Sequence, residues 1–312
     1  MNSSDRTALT KLVKEKALEL GFDICGIARP RILSENLEVL KSWCSEGMND
    51  EMGYLARNLR KRGDPGILFP GAKSLVVTGL SYNSEKMQKK PGVPIISRYT
   101  YGKNYHDAIT GKLNTLLAFI KRNKPEVEGK AFVDSAPLLE KPWAKEAGLG
   151  WQGKHSIVIN RKIGSFFFIG ILILDIDLDY DNSETAEYCG DCRLCIDACP
   201  TGAINDNRTI DTRKCIANLT IEKRDPIPEE IGPKFEKRVF GCDKCQEVCP
   251  WNRNAKPNNH PEFKLSEQIA GMSPDEWLSL TQEQFEVLFK GSSVGRKKYE
   301  DLMRNIRLVM KY

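Results

Sequence analysis

Eight of the ten cysteines in this chain of 312 residues fall between positions 189 and 249, and their spacing limits how that segment can fold. The first block has the spacing C-x2-C-x2-C-x3-C-P and consists of Cys189, Cys192, Cys195, Cys199 and Pro200. In bacterial ferredoxins this run supplies three thiolates to one 4Fe-4S cluster and a fourth to a neighbouring cluster. The segment therefore predicts a module that folds around two iron-sulfur clusters.

A second cysteine block completes the ligand count. It has the spacing C-x2-C-x3-C-P and consists of Cys242, Cys245, Cys249 and Pro250, with Cys215 upstream as the missing fourth ligand. Counting assigns one cluster to Cys189, Cys192, Cys195 and Cys249, and the other to Cys199, Cys215, Cys242 and Cys245. The C-x2-C pairs are also typical of zinc ribbons, but zinc would leave four cysteines unexplained. Two 4Fe-4S clusters are therefore the favoured interpretation.

The N-terminal segment and the apolar runs indicate a cytoplasmic protein that does not associate with membranes. Residues 1–20 contain neither the apolar core of a signal peptide nor a twin-arginine signal. The longest apolar run, residues 166–174, is about half of the ~18 residues that a membrane-spanning helix needs, so it predicts a buried strand. Cys25 and Cys44 are expected to be small core residues. The net charge of +5 permits an anionic partner without requiring one.

Helical and strand patterns are mixed without a regular βαβ rhythm, which favours an α+β fold. Helical patterns cover residues 35–46, 51–60 and 105–122. Strand patterns cover residues 74–80, 130–133, 156–160 and 166–175, and Gly164 predicts a hairpin between the last two. We predict three regions: a catalytic domain (1–180), the cluster module (181–255) and a short helical C-terminal tail (256–312), in which capping boxes start helices after Ser273 and Thr281.

Several segments outside the cysteine blocks resemble the epoxyqueuosine reductase family, the cobalamin-dependent enzymes that complete queuosine in transfer RNA. The matching segments are Met52-Gly53-Tyr54-Leu55, Ser97-Arg98-Tyr99 with Gly102 and Tyr105-His106, residues 134–140, 143–144, 147–151 and 153–154, residues 219–222 after Cys215, and residues 241–252. In such a segment Arg98, Tyr99, Tyr105 and His106 could contact cofactor or nucleoside, although aromatic residues beside a helix start are equally typical of a core. A ferredoxin module alone would not predict the upstream segments. Many family members continue into a C-terminal helical-repeat extension, which would start about where this chain ends.

The resemblance implies both a fold and a reaction. It implies a nitroreductase-like cobalamin-binding domain followed by the ferredoxin-like module. The implied reaction is reduction of the epoxide of epoxyqueuosine at the wobble position of tRNA, which gives queuosine in the last step of its biosynthesis. Cobalamin acts in that family as nucleophile or electron donor, and the two 4Fe-4S clusters recharge it. The implied partners are this tRNA and an external electron donor, and we expect a monomer.

Asp134 is the position that resembles the proton donor of the family. It follows the predicted strand 130–133, where desolvation could raise the pKa of its carboxyl and keep it protonated near neutrality. Alternatively, Asp134 is the cap of a helix that begins near Pro137, since Asp is a favoured cap residue. The residues alone favour the cap, and the resemblance favours the proton donor.

The resemblance also implies where the cofactor and the RNA bind. The cobalamin contacts are expected from Asp134 and from Arg57, Ser97, Gln152, Lys154, His155 and Ser156. A lone histidine is more often structural than a metal ligand, so His155 is not assigned to cobalt. The RNA contacts are expected from Lys297, Lys298, Arg304 and Arg307, with Lys86, Lys89, Lys90, Arg296 and Lys311 as further candidates, although solvated charged faces are common.

Two other functions fit parts of the sequence. A corrinoid reductive dehalogenase also combines cobalamin with two clusters, but such proteins are typically exported with a twin-arginine signal. A non-catalytic iron-sulfur electron-transfer subunit would need the cluster module alone, and it would bind no corrin.

Overall fold

The computed structural model describes residues 2–88, 90–184 and 186–312. Its centre is a four-stranded antiparallel sheet with the strand order β1-β2-β7-β4. The strands of this sheet are β1 (Ile24–Ala28), β2 (Ser74–Ser81), β4 (Gly129–Phe132) and β7 (Phe167–Leu174). The short strands are β3 (Ile95–Ile96), β5 (Trp151–Gln152), β6 (Val158–Ile159) and β8 (Arg238–Phe240). Helices combined with an antiparallel sheet confirm the predicted α+β class.

Helices cover both faces of the sheet. The helices up to the cluster module are α1 (Ser3–Glu19), α2 (Ser34–Ser45), α3 (Leu59–Gly63), α4 (Pro65–Leu68), α5 (Tyr105–Asn123) and α6 (Glu140–Glu146). Apolar side chains of α1 and α5 pack on one face, and Trp143 and Ala144 of α6 pack on the other. Because both faces of β7 are covered, its sequence is a continuous apolar run rather than an alternating one.

The C-terminal half consists of short helices around the cysteine blocks. These helices are α7 (Leu194–Asp197), α8 (Ile216–Ile221), α9 (Lys244–Glu247), α10 (Pro250–Arg253), α11 (Glu267–Gly271), α12 (Pro274–Leu278), α13 (Gln282–Leu288) and α14 (Tyr299–Val309). The predicted capping boxes at Ser273 and Thr281 are confirmed at the starts of α12 and α13.

One apolar core joins the C-terminal helices to the cluster module. Ile306 of α14 and Trp277 of α12 belong to the same buried cluster as Val239 of β8. This cluster also contains Ile96 of β3, which pairs in parallel with β8. The C-terminal helices are therefore part of the framework that holds both the cluster module and the sheet domain. The boundaries at residues 180 and 255 stay predictions.

Two local predictions were wrong. The strand at 158–159 does not form a hairpin with β7: β6 pairs with β5, β7 lies between β2 and β4, and Asn160 and Gly164 form a single bridge. The helix predicted over 51–60 is interrupted, because Asn58 adopts a left-handed conformation with φ +57°. Within residues 51–58 the chain forms a 3-10 turn at Gly53–Leu55, and α3 begins at Leu59.

Within the described residues, no helix combines the length and the apolar character that crossing a membrane requires.

Candidate functional site

Asp134 lies at a sharp turn two residues after the last residue of β4. Its φ is +53°, which a side chain other than glycine adopts only at a cost of about 1–3 kcal/mol. The backbone N–H of Ser135 donates to the carbonyl oxygen of Val133, so the turn is centred on Asp134. The interpretation of Asp134 as a helix cap is wrong, because α6 begins six residues later, at Glu140, with Leu139 at the cap position.

The carboxylate of Asp134 contacts two side chains from the start of α5. The Tyr105 hydroxyl donates to Asp134 Oδ2 at 2.6 Å, and His106 Nε2 lies 3.4 Å from the same oxygen. The chain delivers both side chains together because Asn104 caps α5 by accepting from the backbone N–H of His106. These two side chains are consecutive at the helix start, and both reach the turn after β4.

These contacts reverse the expected ionisation of Asp134. The hydrogen bonds from His106 and Tyr105 lower its pKa, and they outweigh desolvation, which acts in the opposite direction. The prediction of a raised pKa for Asp134 was therefore wrong for the protein without bound cofactor or substrate. Desolvation and the charge of Asp134 raise the pKa of Tyr105, so its hydroxyl stays protonated and can donate. The pKa of Glu140 is raised to about 8 by desolvation and by the charge of Asp134.

Asp134 lines a cavity of about 740 Å³ between the sheet domain and the C-terminal helices. The sheet domain contributes Tyr54, Arg62, Tyr105 and His106 to the lining, and the wall formed by the C-terminal half contains Ile221, Glu222, Ser293, Arg296 and Lys297. A second cavity of about 250 Å³ shares Tyr99, Tyr105, Asp134, Glu140 and Lys141 with the first and extends to Ile157 and Val158. The two spaces together form a concave site large enough for a bulky ligand, with the carboxylate where they meet.

The predicted cofactor loop lies next to the second cavity. Gln152 Nε2 donates to Ser156 Oγ at 3.0 Å, and Lys154 Nζ donates to the Gly190 carbonyl oxygen at 2.7 Å. His155 is buried, and its Nδ1 accepts from the backbone N–H of Ile157 at 3.2 Å. Its proton is therefore on Nε2, which is buried and has no hydrogen-bond partner among the described residues. A buried donor without a partner indicates that an additional acceptor belongs here.

Burial makes His155 an acid-sensitive position. Desolvation lowers its pKa from 6.5 to about 4, so between these values the unfolded chain takes up a proton that the folded chain does not. The free energy of unfolding therefore falls as the pH drops through this window, by up to about 1.4 kcal/mol per pH unit. We expect His155→Gln to be less acid-sensitive than the wild type. Urea unfolding at both ends of the window checks this, and an identical decline in both proteins would contradict it.

The other two predicted cofactor residues lie in different environments. Arg57 is exposed, and its carbonyl oxygen accepts from Arg62 Nε. Ser97 is 4% exposed and packs against Gly241, where an added Cβ would approach Ser97 Oγ to 2.5 Å. Ser97 therefore connects the sheet domain with the second cysteine block.

The charge interactions among the thiols of the module agree with most of the predicted grouping across the two blocks. The Cys195 thiol, whose pKa burial raises to about 11, is also influenced by the charges of Cys249, Cys189 and Cys192. Cys245 is influenced in the same way by Cys242 and Cys215, and less by Cys195 of the other predicted set, while Cys215 is influenced by Cys199. Cys249 also packs with Cys189 among the rings of Trp151, Tyr188 and Trp251. Thiolates are the donors that iron-sulfur clusters require, and the assignment of four to each cluster stays a prediction, since the described residues show no side-chain group already drawn together around a metal position.

The predicted RNA-binding residues differ in whether their charged groups already have a partner within the protein. Lys297 lines the cavity and pairs with Glu222 at 3.3 Å, Lys298 directly precedes α14, and Arg307 is exposed. Arg304 instead donates to the carbonyl oxygens of Lys223, Arg224 and Asp225.

Among the further candidates for RNA contacts, Arg296 Nη1 lies 2.9 Å from His106 Nδ1. Lys86 and Lys311 pair with carboxylates, and Lys90 donates to a carbonyl oxygen. Lys89 lies outside the described residues.

Sequence reasoning missed two side chains that line the site. Glu140 ends a matching segment and Lys141 follows it directly, but neither received a role, although both line the two cavities with Asp134. The available signal was their position in the sequence, a few residues after a predicted strand that is followed by Asp134. Tyr105 and His106 were singled out by the family resemblance, but the Tyr105 contact with Asp134 joins positions 29 residues apart and could not be predicted.

Two protein-family models match this chain. Residues 188–252 match the 4Fe-4S double cluster binding domain, and residues 62–135 match the model described as epoxyqueuosine reductase QueG, DUF1730. The first match confirms the predicted double-cluster module. The second covers the segment that leads to Asp134.

Similar proteins cover nearly the whole chain. The epoxyqueuosine reductase of Cellulophaga algicola is 44% identical over 98% of this chain and 99% of its own length. A crystal structure of epoxyqueuosine reductase with an epoxyqueuosine-modified tRNA-Tyr stem loop is 29% identical, with a TM-score of 0.89 over 97% of this chain and 80% of that chain. A reductive dehalogenase shares only the fold, at 15% identity and a TM-score of 0.51 over 82% of this chain and 33% of that chain. On the identity to relatives that it matches along nearly its entire length, this chain belongs to the epoxyqueuosine reductase family.

Proposed function

We propose that the protein reduces the epoxide of epoxyqueuosine at the wobble position of tRNA to give queuosine and water. The observation that carries this proposal is the carboxylate of Asp134, held by Tyr105 and His106 where a cavity of about 740 Å³ meets a smaller one. Family membership supplies the substrate class. Removal of the epoxide oxygen as water consumes two electrons and two protons, so the site needs an electron supply and a proton donor.

Two kinds of redox group would supply the electrons. The thiolates of Cys189, Cys192, Cys195 and Cys249 would hold one 4Fe-4S cluster, and those of Cys199, Cys215, Cys242 and Cys245 the other. The cavity beside the Gln152–Ser156 loop would hold cobalamin in a nitroreductase-like domain, and the unpartnered Nε2–H of His155 would donate to it. When bound, the clusters supply single electrons and cobalamin supplies the reactive reducing centre. Arg57, Ser97, Gln152, Lys154 and Ser156 remain proposed contacts of the same cofactor.

Asp134 is proposed to deliver the proton to the departing oxygen. In the protein alone its side chain is 61% exposed to the cavity, and its hydrogen bonds keep it ionised. Filling the cavity with cofactor and nucleoside would exclude solvent from around Asp134, and desolvation raises the pKa of a carboxyl group. The loaded site would therefore favour a protonated Asp134, while Tyr105 and His106 fix the direction of its carboxyl group.

The tRNA would approach over the wall that contains Arg296 and Lys297. We expect Lys297→Ala to weaken tRNA binding and to reduce the salt dependence of binding by about one unit of slope, because one phosphate contact is lost. Arg304→Ala should instead lower the free energy of unfolding, since its guanidinium holds three carbonyl oxygens. Filter binding at several salt concentrations and thermal unfolding separate the two effects. A large loss of tRNA affinity in folded Arg304→Ala would contradict this assignment.

The decisive test is anaerobic incubation of the protein with epoxyqueuosine-bearing tRNA, cobalamin and a strong reductant, followed by nucleoside analysis. Formation of queuosine supports the proposal, and unchanged epoxyqueuosine with a fully loaded protein overturns it. Dehalogenation of a haloaromatic under the same conditions would favour the dehalogenase alternative. Iron-sulfur absorbance without a cobalamin band, even after reconstitution, would favour an electron-transfer subunit.

We also propose a cellular setting for the protein. A cytoplasmic monomer fits a tRNA substrate and free thiols, and an external electron donor must recharge the clusters.

A further inference from the structure

We propose that Glu140 is a positioning residue that holds the backbone turn of Asp134 and thereby aims its carboxylate. The inference rests on the proposed function, because it assigns Glu140 a role in the same proton delivery. Neither the predicted site nor the comparisons give Glu140 a role.

The segment between β4 and α6 is built from tight local turns. Around Asp134 the bond from Ser135 to Val133 closes one turn, and Leu138 N–H donates to the Ala136 carbonyl oxygen at 2.8 Å to close another. Such bonds bend the chain but do not fix it to the rest of the molecule. The positive φ of Asp134 is a conformation that persists only when the surroundings enforce it.

Glu140 supplies this enforcement from a rigid element. Its Oε1 accepts from the backbone N–H of Asp134 at 2.5 Å, which closes residues 134–140 into a loop. Glu140 is the first residue of α6, and that helix is anchored by Trp143 and Ala144, both 0% exposed in the core under the sheet. The strained turn is therefore tied directly to the hydrophobic core.

The bond also fixes the side chain, because the direction of a side chain follows from the φ of its own residue. With Asp134 N–H held by Glu140, the carboxylate reaches Tyr105 and His106 at the start of α5. Without the acceptor, the turn can relax toward negative φ and carry the carboxylate away from both partners. A displacement of about 1 Å in a catalytic group can cost about 10²-fold in rate.

What Glu140 contributes is an acceptor oxygen, not a charge. Its carboxyl group faces the carboxylate of Asp134, the ammonium group of Lys141 and the hydroxyl of Tyr105. A second negative charge beside Asp134 would be repulsive, whereas a neutral acceptor makes the same hydrogen bond without that penalty. Glutamine has a carbonyl oxygen at the same distance along its side chain, so it should replace glutamate here.

The experiment compares Glu140→Ala and Glu140→Gln with Glu146→Ala as a matched control. Glu146 lies on the same helix, but it pairs with Arg31 away from the cavity. Amide hydrogen exchange of the segment 132–140, resolved to single residues by fragmentation, reports the Asp134 N–H independently of turnover. Steady-state kinetics with epoxyqueuosine-bearing tRNA then separate kcat from KM.

We expect Glu140→Ala to exchange faster in this segment and to lose about 10²-fold in kcat with little change in KM. Glu140→Gln should retain the protection and most of kcat. Unchanged exchange in the alanine variant, or equal loss of kcat in both variants, would overturn the proposal. If Glu140→Ala does not fold with its clusters, the glutamine variant decides alone. If the wild type itself does not turn over, the proposed function fails. The exchange data still show in that case whether Glu140 holds the backbone turn of Asp134.

Discussion

Asp134→Asn is expected to lose about 10²–10⁴-fold in kcat while keeping both clusters and cobalamin. Asparagine has the shape of aspartate and can still accept from Tyr105, but it cannot carry the proton to the departing oxygen. Because the carboxylate lines the cavity and supports no buried core, the fold should persist. Anaerobic nucleoside analysis gives the rate, and the absorbance spectrum reports the cofactors.

The matched control is Asp107→Asn, a change at an exposed carboxyl group in the first turn of α5. It alters the charge near the same helix start without touching the cavity, so its kcat should match the wild type. An Asp134→Asn variant that turns over at the wild-type rate would remove Asp134 from the role of proton donor, and His106 would become the leading candidate.

Replacing one cluster ligand is expected to remove one cluster and to abolish reduction by an external donor. Two 4Fe-4S clusters correspond to about eight irons per chain, so Cys195→Ser or Cys249→Ser should retain about four. The two variants lie in different blocks but should lose the same cluster, because both thiols belong to the same group. Cys199→Ser and Cys242→Ser should both lose the other.

Iron analysis and electron paramagnetic resonance of the reduced proteins test whether each cluster takes ligands from both cysteine blocks. Cys195→Ser and Cys249→Ser should give the same residual spectrum, which differs from the spectrum shared by Cys199→Ser and Cys242→Ser. Cys44→Ser serves as the control, since Cys44 belongs to neither group, and it should keep all iron. Zinc in place of iron, or residual spectra that pair the variants within each block, would contradict the assignment.

The accuracy of the sequence predictions depended on how local each feature is. The capping boxes at Ser273 and Thr281 involve residues three positions apart, and both were predicted correctly. The hairpin at Gly164 was wrong because β7 finds its partners in β2 and β4, which lie far from it along the chain. An apolar run identifies a buried strand, but it does not say which strand lies beside it.

Asp134 illustrates the same limit within the site. Its position after a strand could be predicted, but the direction of its pKa could not. That direction depends on Tyr105 and His106, which approach from another element and stabilise the ionised form. Desolvation alone, which can be inferred from a neighbouring apolar strand, gives the opposite sign.

The amino-acid sequence by itself determined the double-cluster module, the α+β class and the family, because cysteine spacing, apolar periodicity and family motifs are local patterns that a linear chain displays. Only the tertiary structure decided which residues surround Asp134, and that the Asp134 N–H donates to Glu140 across the turn. Hydrogen bonds and charges act over a few ångströms in space, and folding brings together groups that are dozens of residues apart in the chain.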